Sequence, residues 1–195
     1  MQDLIKNYFT ESIQTQIVTA DALTAIIEKA GTKLVEALLN GNKILVCGNG
    51  ASAANAQNFT AKLIDCVDVE RPSIPAISLV CDNVVMSAIA DHGYHAEVYA
   101  KQVQALGQSG DILMAISPLG NSSGVIRAVE EAVIKDMTII ALTGGEGGEL
   151  MGLLGQQDLE IRVPSNKKVR VEEIHQLVLN CLCELIEQAL FMFKE

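Results

Sequence analysis

Five short apolar runs punctuate the chain, at residues 44–47, 76–80, 111–117, 138–142 and 159–163. They are β-branched or Leu-rich, lack clean alternation, and are bounded by Gly, Pro, Asn or Ser. That pattern marks strands buried on both faces of a parallel sheet. Helical patterns fill the intervals: small apolar residues over 52–64, a Ser-rich start followed by 125–135, and two helices within 83–104 broken near His92-Gly93. Alternation of strand and helix predicts right-handed crossovers and a three-layer, doubly wound α/β fold. Its five strands are expected in the flavodoxin-like order 2-1-3-4-5, with sites at their carboxyl ends.

Longer periodic segments flank this core. Residues 2–40 read as a helical pair, with Leu4, Ile13, Ile17, Leu23, Ile26 and Ile27 as anchors and a break at Gly31. Residues 168–193 read as one helix, with Ile174, Val178, Cys181, Leu182, Leu185, Ile186 and Ala189 along one side. A three-layer core does not need helices of that length. The surplus predicts packing against other subunits, with residues 1–40 forming an arm on the core and on its neighbours. Phe191 falls off the stripe: counting back four, seven and eleven residues reaches Glu187, Glu184 and Asn180, all polar. An aromatic there is either buried against a neighbouring subunit or exposed as an anchor for a partner, with Leu190 extending the spot.

The 195 residues contain no linker and no tandem repeat, so one domain spanning 1–195 is expected. Fourteen basic residues against 24 acidic ones give a net charge of −10. Such a chain does not bind nucleic acid non-specifically, because that affinity comes from neutralising phosphates with Lys and Arg. Apolar residues make up 49% of the chain and charged ones 19%, richer in apolar residues than a lone globular unit needs. No signal peptide and no membrane span are expected from the charged start and the short apolar runs. Cys47, Cys66, Cys81, Cys181 and Cys183 are scattered in apolar stretches, which suits core residues in a reducing, cytoplasmic compartment. The Cys181-x-Cys183 pair has the wrong spacing for a zinc or redox motif.

Two loops echo each other. Leu45-Val46-Cys47-Gly48-Asn49-Gly50-Ala51-Ser52 and Ile116-Ser117-Pro118-Leu119-Gly120-Asn121-Ser122-Ser123 both run from a strand through Gly and Asn to a helix start with Ser. Such a turn aims unpaired backbone N–H groups at one point, backed by the helix dipole, and Ser hydroxyls add donors. An anion such as a phosphate fits there, with Ser52, Ser117, Ser122 and Ser123 as donors; alternatively, Ser and Asn simply cap the helices. A dinucleotide fingerprint competes, since Gly48-x-Gly50-x-x-Ala53 nearly satisfies it. Its acidic partner is missing at the proper place, Asp82 lying too far along and Asp68 before the second strand. A Walker loop is excluded, because no Gly-Lys-Ser/Thr follows.

These loops, with Ala141-Leu142-Thr143-Gly144 followed by Gly147-Gly148, Ile161-Arg162-Val163-Pro164 and Glu173-Ile174-His175, resemble the sugar isomerase (SIS) domain family on its phosphoheptose isomerase branch. The resemblance runs nearly end to end. It implies a homotetramer that takes phosphosugars at Gly48, Asn49, Gly50, Ser52, Ser117, Asn121 and Ser122, between subunits. The branch's isomerases carry a His and Glu four apart after the first loop, and a Gln and His eight apart in the last helix. Those groups bind metal or move protons. Here the four positions are Asn58, Lys62, Glu172 and Asn180. Asn is no general base near neutral pH, and Lys reverses the charge of Glu. His92 and His95 lack a carboxylate-rich partner segment; His175 stands where the family has a His, and either lines the pocket or hydrogen-bonds a neighbouring loop, the second being the favoured reading. Pro118 and Leu119 stand where phosphosugar-binding members have hydroxyls.

Within the family, the chain is similar to a subgroup of tetrameric proteins that bind the replication initiator DnaA. The similarity lies at residues 9–17 and 39–45, Ser52-Ala53-Ala54-Asn55-Ala56-Gln57 and Asn180-Cys181-Leu182-Cys183, with a different tail at Met192-Phe193-Lys194-Glu195. It implies a non-enzymatic scaffold that promotes initiation complexes at the origin, with no catalytic residue, metal or cofactor. With such a partner, the off-stripe Phe191 and its neighbour Leu190 are expected to contact DnaA if they are exposed, and to be structural if a neighbouring subunit buries them. Two alternatives stand beside it: an isomerase acting on sedoheptulose 7-phosphate, and a phosphosugar-binding regulatory module.

Overall fold

The computed structural model describes residues 1–65 and 70–192, Met192 by its backbone alone. Cys66 and Asp68, and the tail residues Phe193, Lys194 and Glu195, lie outside the described residues. Five parallel strands, β1 (Ile44–Gly48), β2 (Ala76–Ser78), β3 (Ile112–Ile116), β4 (Thr138–Gly144) and β5 (Leu159–Val163), form one sheet in the order β2-β1-β3-β4-β5. This is the 2-1-3-4-5 order expected from the alternation. Every residue of β1 and β3 is buried, as strands covered on both faces must be.

The strand ends differ slightly from the apolar runs. β2 stops at Ser78, although the Leu79 N–H still donates to the Val46 carbonyl at 2.9 Å. The chain then turns to Asp82, whose carboxylate accepts from the N–H groups of Val84 and Val85 and so caps α3 (Asn83–Asp91). The predicted break at His92-Gly93 is there. A short 3-10 turn, His95–Glu97, separates α3 from α4 (Ala100–Leu106). The remaining helices are α1 (Gln2–Leu39), α2 (Ala51–Ile64), α5 (Ser123–Ile134), α6 (Gly148–Met151) and α7 (Lys168–Glu187), which widens into a π turn at Gln188–Met192. Helices α1 and α2 pack on α7, and α4 packs on α5.

The N-terminal arm is one helix of 38 residues, not a pair broken at Gly31. Gly31 is buried where α1 crosses α7, and a Cβ there would meet Leu185 Cδ1 at 3.1 Å. The missing side chain permits the crossing; it does not end the helix. Leu4, Ile13 and Ile17, expected as anchors, are exposed along with Ile5, Tyr8, Phe9 and Val18. The helix instead buries Ala30, Gly31, Leu34 and Ala37 in its second half.

The buried stripe of α7 is also rotated from the expected one. Val171, Ile174, His175, Val178, Leu179, Leu182 and Ile186 are buried, whereas Cys181 and Ala189 are exposed. Cys181 and Leu185 instead look into an open groove of about 780 Å³ between α1 and α7. Cys81 is likewise exposed, in the turn after β2, so only Cys47 and Cys183 among the described cysteines are buried thiols. Burial pushes the Cys47 thiol up to about 12, which leaves it inert as a small apolar residue. Among the described residues no helix is long and apolar enough to cross a membrane.

Candidate functional site

Strands β1 and β3 are neighbours with Gly48 opposite Ile116, so the two echoing loops leave the sheet side by side. Between them lies a cavity of about 250 Å³ lined by Asn49, Ser52, Ser117, Asn121, Ser122 and Lys168, together with Ile116, Pro118 and Leu119. Five of the seven residues picked out from the sequence therefore face one space. Gly48 and Gly50 shape it. A Cβ on Gly48 would lie 2.7 Å from the Ser52 Cβ, so glycine is what lets the strand end press against the start of α2. In the second loop Gly120 takes φ +67°, and a Cβ there would overlap the Gly147 carbonyl at 1.8 Å.

Asn49 ties the two loops together. Its amide Nδ2 donates to Ser122 Oγ at 2.7 Å, while its Oδ1 lies 2.7 Å from the Tyr99 hydroxyl. That hydroxyl is also 2.7 Å from the Gly48 carbonyl, and burial, with Cys47 nearby, pushes it up to about 12. Tyr99 thus stays a neutral donor shared between the two oxygens. Asn121 turns the other way, its Oδ1 accepting from the Glu149 N–H at 2.9 Å. Ser117 and Ser52 are buried, and the Ser52 hydroxyl has no hydrogen-bond partner among the described residues in a residue only 1% exposed. An unpaired donor at a helix start, beside the exposed ammonium of Lys168, makes a cavity suited to an anionic oxygen.

A second face lies where α2 packs on α7. Lys62 Nζ donates to Asn180 Oδ1 at 2.7 Å, and Gln176 Nε2 donates to the same oxygen at 3.1 Å. Glu172 pairs with Lys168 at 3.6 Å, one turn along its own helix, and Asn58 is exposed. An ammonium held by a carboxamide neither abstracts a proton nor binds a cation. Among the described residues no group of three or more His, Cys, Asp or Glu could hold a metal ion.

Residues 7–144 match the family model described as SIS domain. The chain belongs to the SIS domain family. This SIS domain chain is 62% identical over 195 residues, 100% of both chains, to the DnaA initiator-associating protein DiaA of Yersinia enterocolitica serotype O:8 / biotype 1B. Identity is 61%, again over 100% of both, to the protein of the same name from Escherichia coli K12 / DH10B. Among solved structures, a phosphoheptose isomerase from Francisella tularensis is 45% identical with a TM-score of 0.94, covering 96% of this chain and 98% of that one. Phosphoheptose isomerase GmhA from Neisseria gonorrhoeae is 36% identical with a TM-score of 0.91 over the same shares.

The three histidines take bland places. His175 is buried, and its Nε2–H donates to the Thr143 carbonyl at 2.9 Å. Burial lowers its pKa to about 4, partly offset by that bond, so it is a neutral ring that fixes the end of β4. His92 Nδ1 lies 2.7 Å from the Ala88 carbonyl, and both His92 and His95 are exposed. Tyr99, which holds Asn49, and Lys168, which lines the pocket, escaped the sequence reading, because they come from elements remote from either loop. At the other end of α7, Leu190 is partly buried against the core and Phe191 is 36% exposed. Glu187, expected on a polar face, is 7% exposed and pairs with Arg71 at 2.5 Å. The distant Arg71 draws it inward.

Proposed function

We propose that this SIS domain is a non-enzymatic scaffold that binds the replication initiator DnaA and promotes assembly of initiation complexes at the chromosomal origin. The observation that carries this reading is the 62% identity, over the whole of both chains, to a protein named for its association with DnaA. The Lys62–Asn180 hydrogen bond supports its non-enzymatic half, since it puts a fixed cation and an amide where isomerisation needs an acid and a base. The net charge of −10 argues that any action at the origin goes through a protein partner and not through direct contact with DNA.

The working form in this reading is a cytoplasmic homotetramer. Leu4, Ile5, Phe9, Ile13 and Ile17 stand exposed along α1, an apolar face that a lone protomer leaves in water. A permanent interface of this kind typically buries more than about 2,000 Å². Leu190 and Phe191 form the DnaA docking spot; repeated four times, it lets weak single contacts gain by avidity.

The test is capture of purified DnaA by the full chain, alongside turnover of sedoheptulose 7-phosphate with and without zinc. Capture without turnover is expected. A second reading, a phosphosugar-binding regulatory module, is favoured by the unpartnered Ser52 hydroxyl in the strand-end cavity. A thermal shift on adding sedoheptulose 7-phosphate, abolished by Ser52→Ala, is its signature.

A further inference from the structure

Arg71 lies in the segment that leads from α2 to β2, and its side chain is only 3% exposed. The guanidinium reaches three places at once. Nη2 donates to the Lys62 carbonyl at 2.7 Å and Nη1 to the Leu63 carbonyl at 2.9 Å, so one side chain serves two of the last carbonyls of α2, the second shared with the Ile74 N–H at 3.0 Å. Nη1 also donates to the Pro72 carbonyl at 3.1 Å, and Nε to Glu187 Oε1 at 2.5 Å. All of these bonds use the N–H groups at the edge of the guanidinium. Its central carbon lies over the ring of Phe191, 5.8 Å from the ring centroid.

Phe191 needs such a support. Beyond Glu187 the last helix becomes a π turn, Gln188–Met192, in which the usual backbone bonding is widened. The backbone of α7 therefore does less to fix where residues 190 and 191 point. Leu190 is held by partial burial against the core, but Phe191 is more than a third exposed. The guanidinium, fixed by its hydrogen bonds, supplies a wall on one side of the ring. Because Glu187 pairs with the same group, the wall presents little net charge to an apolar neighbour.

We propose that Arg71 is the positioning residue of the docking spot: it holds the Phe191 ring against the end of α2, so that the free side of the ring and Leu190 meet DnaA already ordered. This inference rests on the reading that Leu190 and Phe191 contact DnaA. Ordering the aromatic before the encounter removes part of the entropy loss on binding, which is where affinity is gained without a new contact.

The chain contains no Trp, so F191W installs a single fluorescent reporter at the ring in question. R71A removes the cation beside buried Glu187 and endangers the fold, so R71K is the informative change. Lysine keeps the charge but lacks the planar fork, and cannot serve the carbonyls, Glu187 and the ring face together. In the full chain carrying F191W, R71K should raise acrylamide quenching about two-fold. In the chain with Phe191 in place, R71K should weaken DnaA binding about ten-fold. Light scattering should show the same assembly as the parent, and E187Q should move both readouts in the same direction to a smaller extent. A purely structural Arg71 would lower the melting midpoint without changing quenching, and that result overturns the proposal. So does increased quenching with unchanged DnaA affinity. If L190A/F191A binds DnaA as the parent does, the docking reading itself falls and takes the proposal with it. Loss of binding in L190A/F191A with none in R71K overturns the proposal alone.

Discussion

At the carboxyl ends of β1 and β3, a pocket is built from glycine turns, helix starts and hydroxyls; on the facing surfaces of α2 and α7, the groups that meet are Lys62, Gln176 and Asn180. Both regions belong to the same scaffold. They differ in what the fold itself requires of them. Gly48 must be glycine for β1 to reach α2, and Gly120 must be glycine to clear Gly147, whatever the loops bind. The anion-type cradle is thus tied to the packing of the sheet. Nothing in the packing requires an acid or a base at residues 58, 62, 172 and 180, where polar side chains sit exposed or half-buried.

The largest expected effect comes from rewriting the α2–α7 face. Installing N58H, K62E, E172Q and N180H together should create zinc binding, read by calorimetry, and measurable sedoheptulose 7-phosphate turnover. The parent should show neither. If the fourfold variant binds zinc but stays inert, the strand-end pocket has lost its part of the chemistry too, and the contrast between the two regions fails.

Next in size is the acid response of His175, which anchors the scaffold beside the pocket. The ring's ordinary pKa is 6.5, and burial lowers it to about 4 in the folded chain. Between those values the unfolded state holds the extra proton. Stability conferred by a neutral His175 is therefore complete above about pH 6.5, falls as pH drops towards 4, and levels off below it, for a total of about 3 kcal/mol. H175Q keeps a donor for the Thr143 carbonyl without titrating. Urea unfolding at neutral and mildly acidic pH should show a shallower loss in H175Q than in the parent.

The smallest effects lie in the pocket. Ser52→Ala removes a buried hydroxyl with no partner and should stabilise the chain by about 1 kcal/mol, whereas Ser122→Ala breaks the Asn49 tie and should cost about as much. In a chain of this size each shifts the melting midpoint by about 2–4 °C, in opposite directions. Equal destabilisation by both would mean that Ser52 serves the fold and not a ligand.

Much of this was legible before any coordinates. The uninterrupted apolar runs specify a covered parallel sheet, and Gly-Asn turns at two strand ends specify where its loops converge. Other features depend on partners that sequence does not bring together. Gly31 reads as a break because a helical glycine is either a break or a close approach, and Leu185, which decides between them, lies on another helix. Glu187 reads as surface because its partner Arg71 is 116 residues away. Counting by helical turns from Phe191 misleads for a further reason: the last turn is π, and the angular step there is no longer that of an α-helix. Leu4, Ile13 and Ile17 look like core because apolar periodicity does not distinguish a core from an apolar face that the protomer leaves exposed.

The central claim, a scaffold for DnaA, is tested most directly by measuring binding of purified DnaA to the full chain and to L190A/F191A by surface-immobilised titration, with light scattering on both chains. The account predicts saturable binding with more than one DnaA per assembly, lost in the double variant while the assembly stays intact. No binding of DnaA to the parent chain would contradict the claim outright, and binding undiminished in the double variant would move the docking face elsewhere on the molecule.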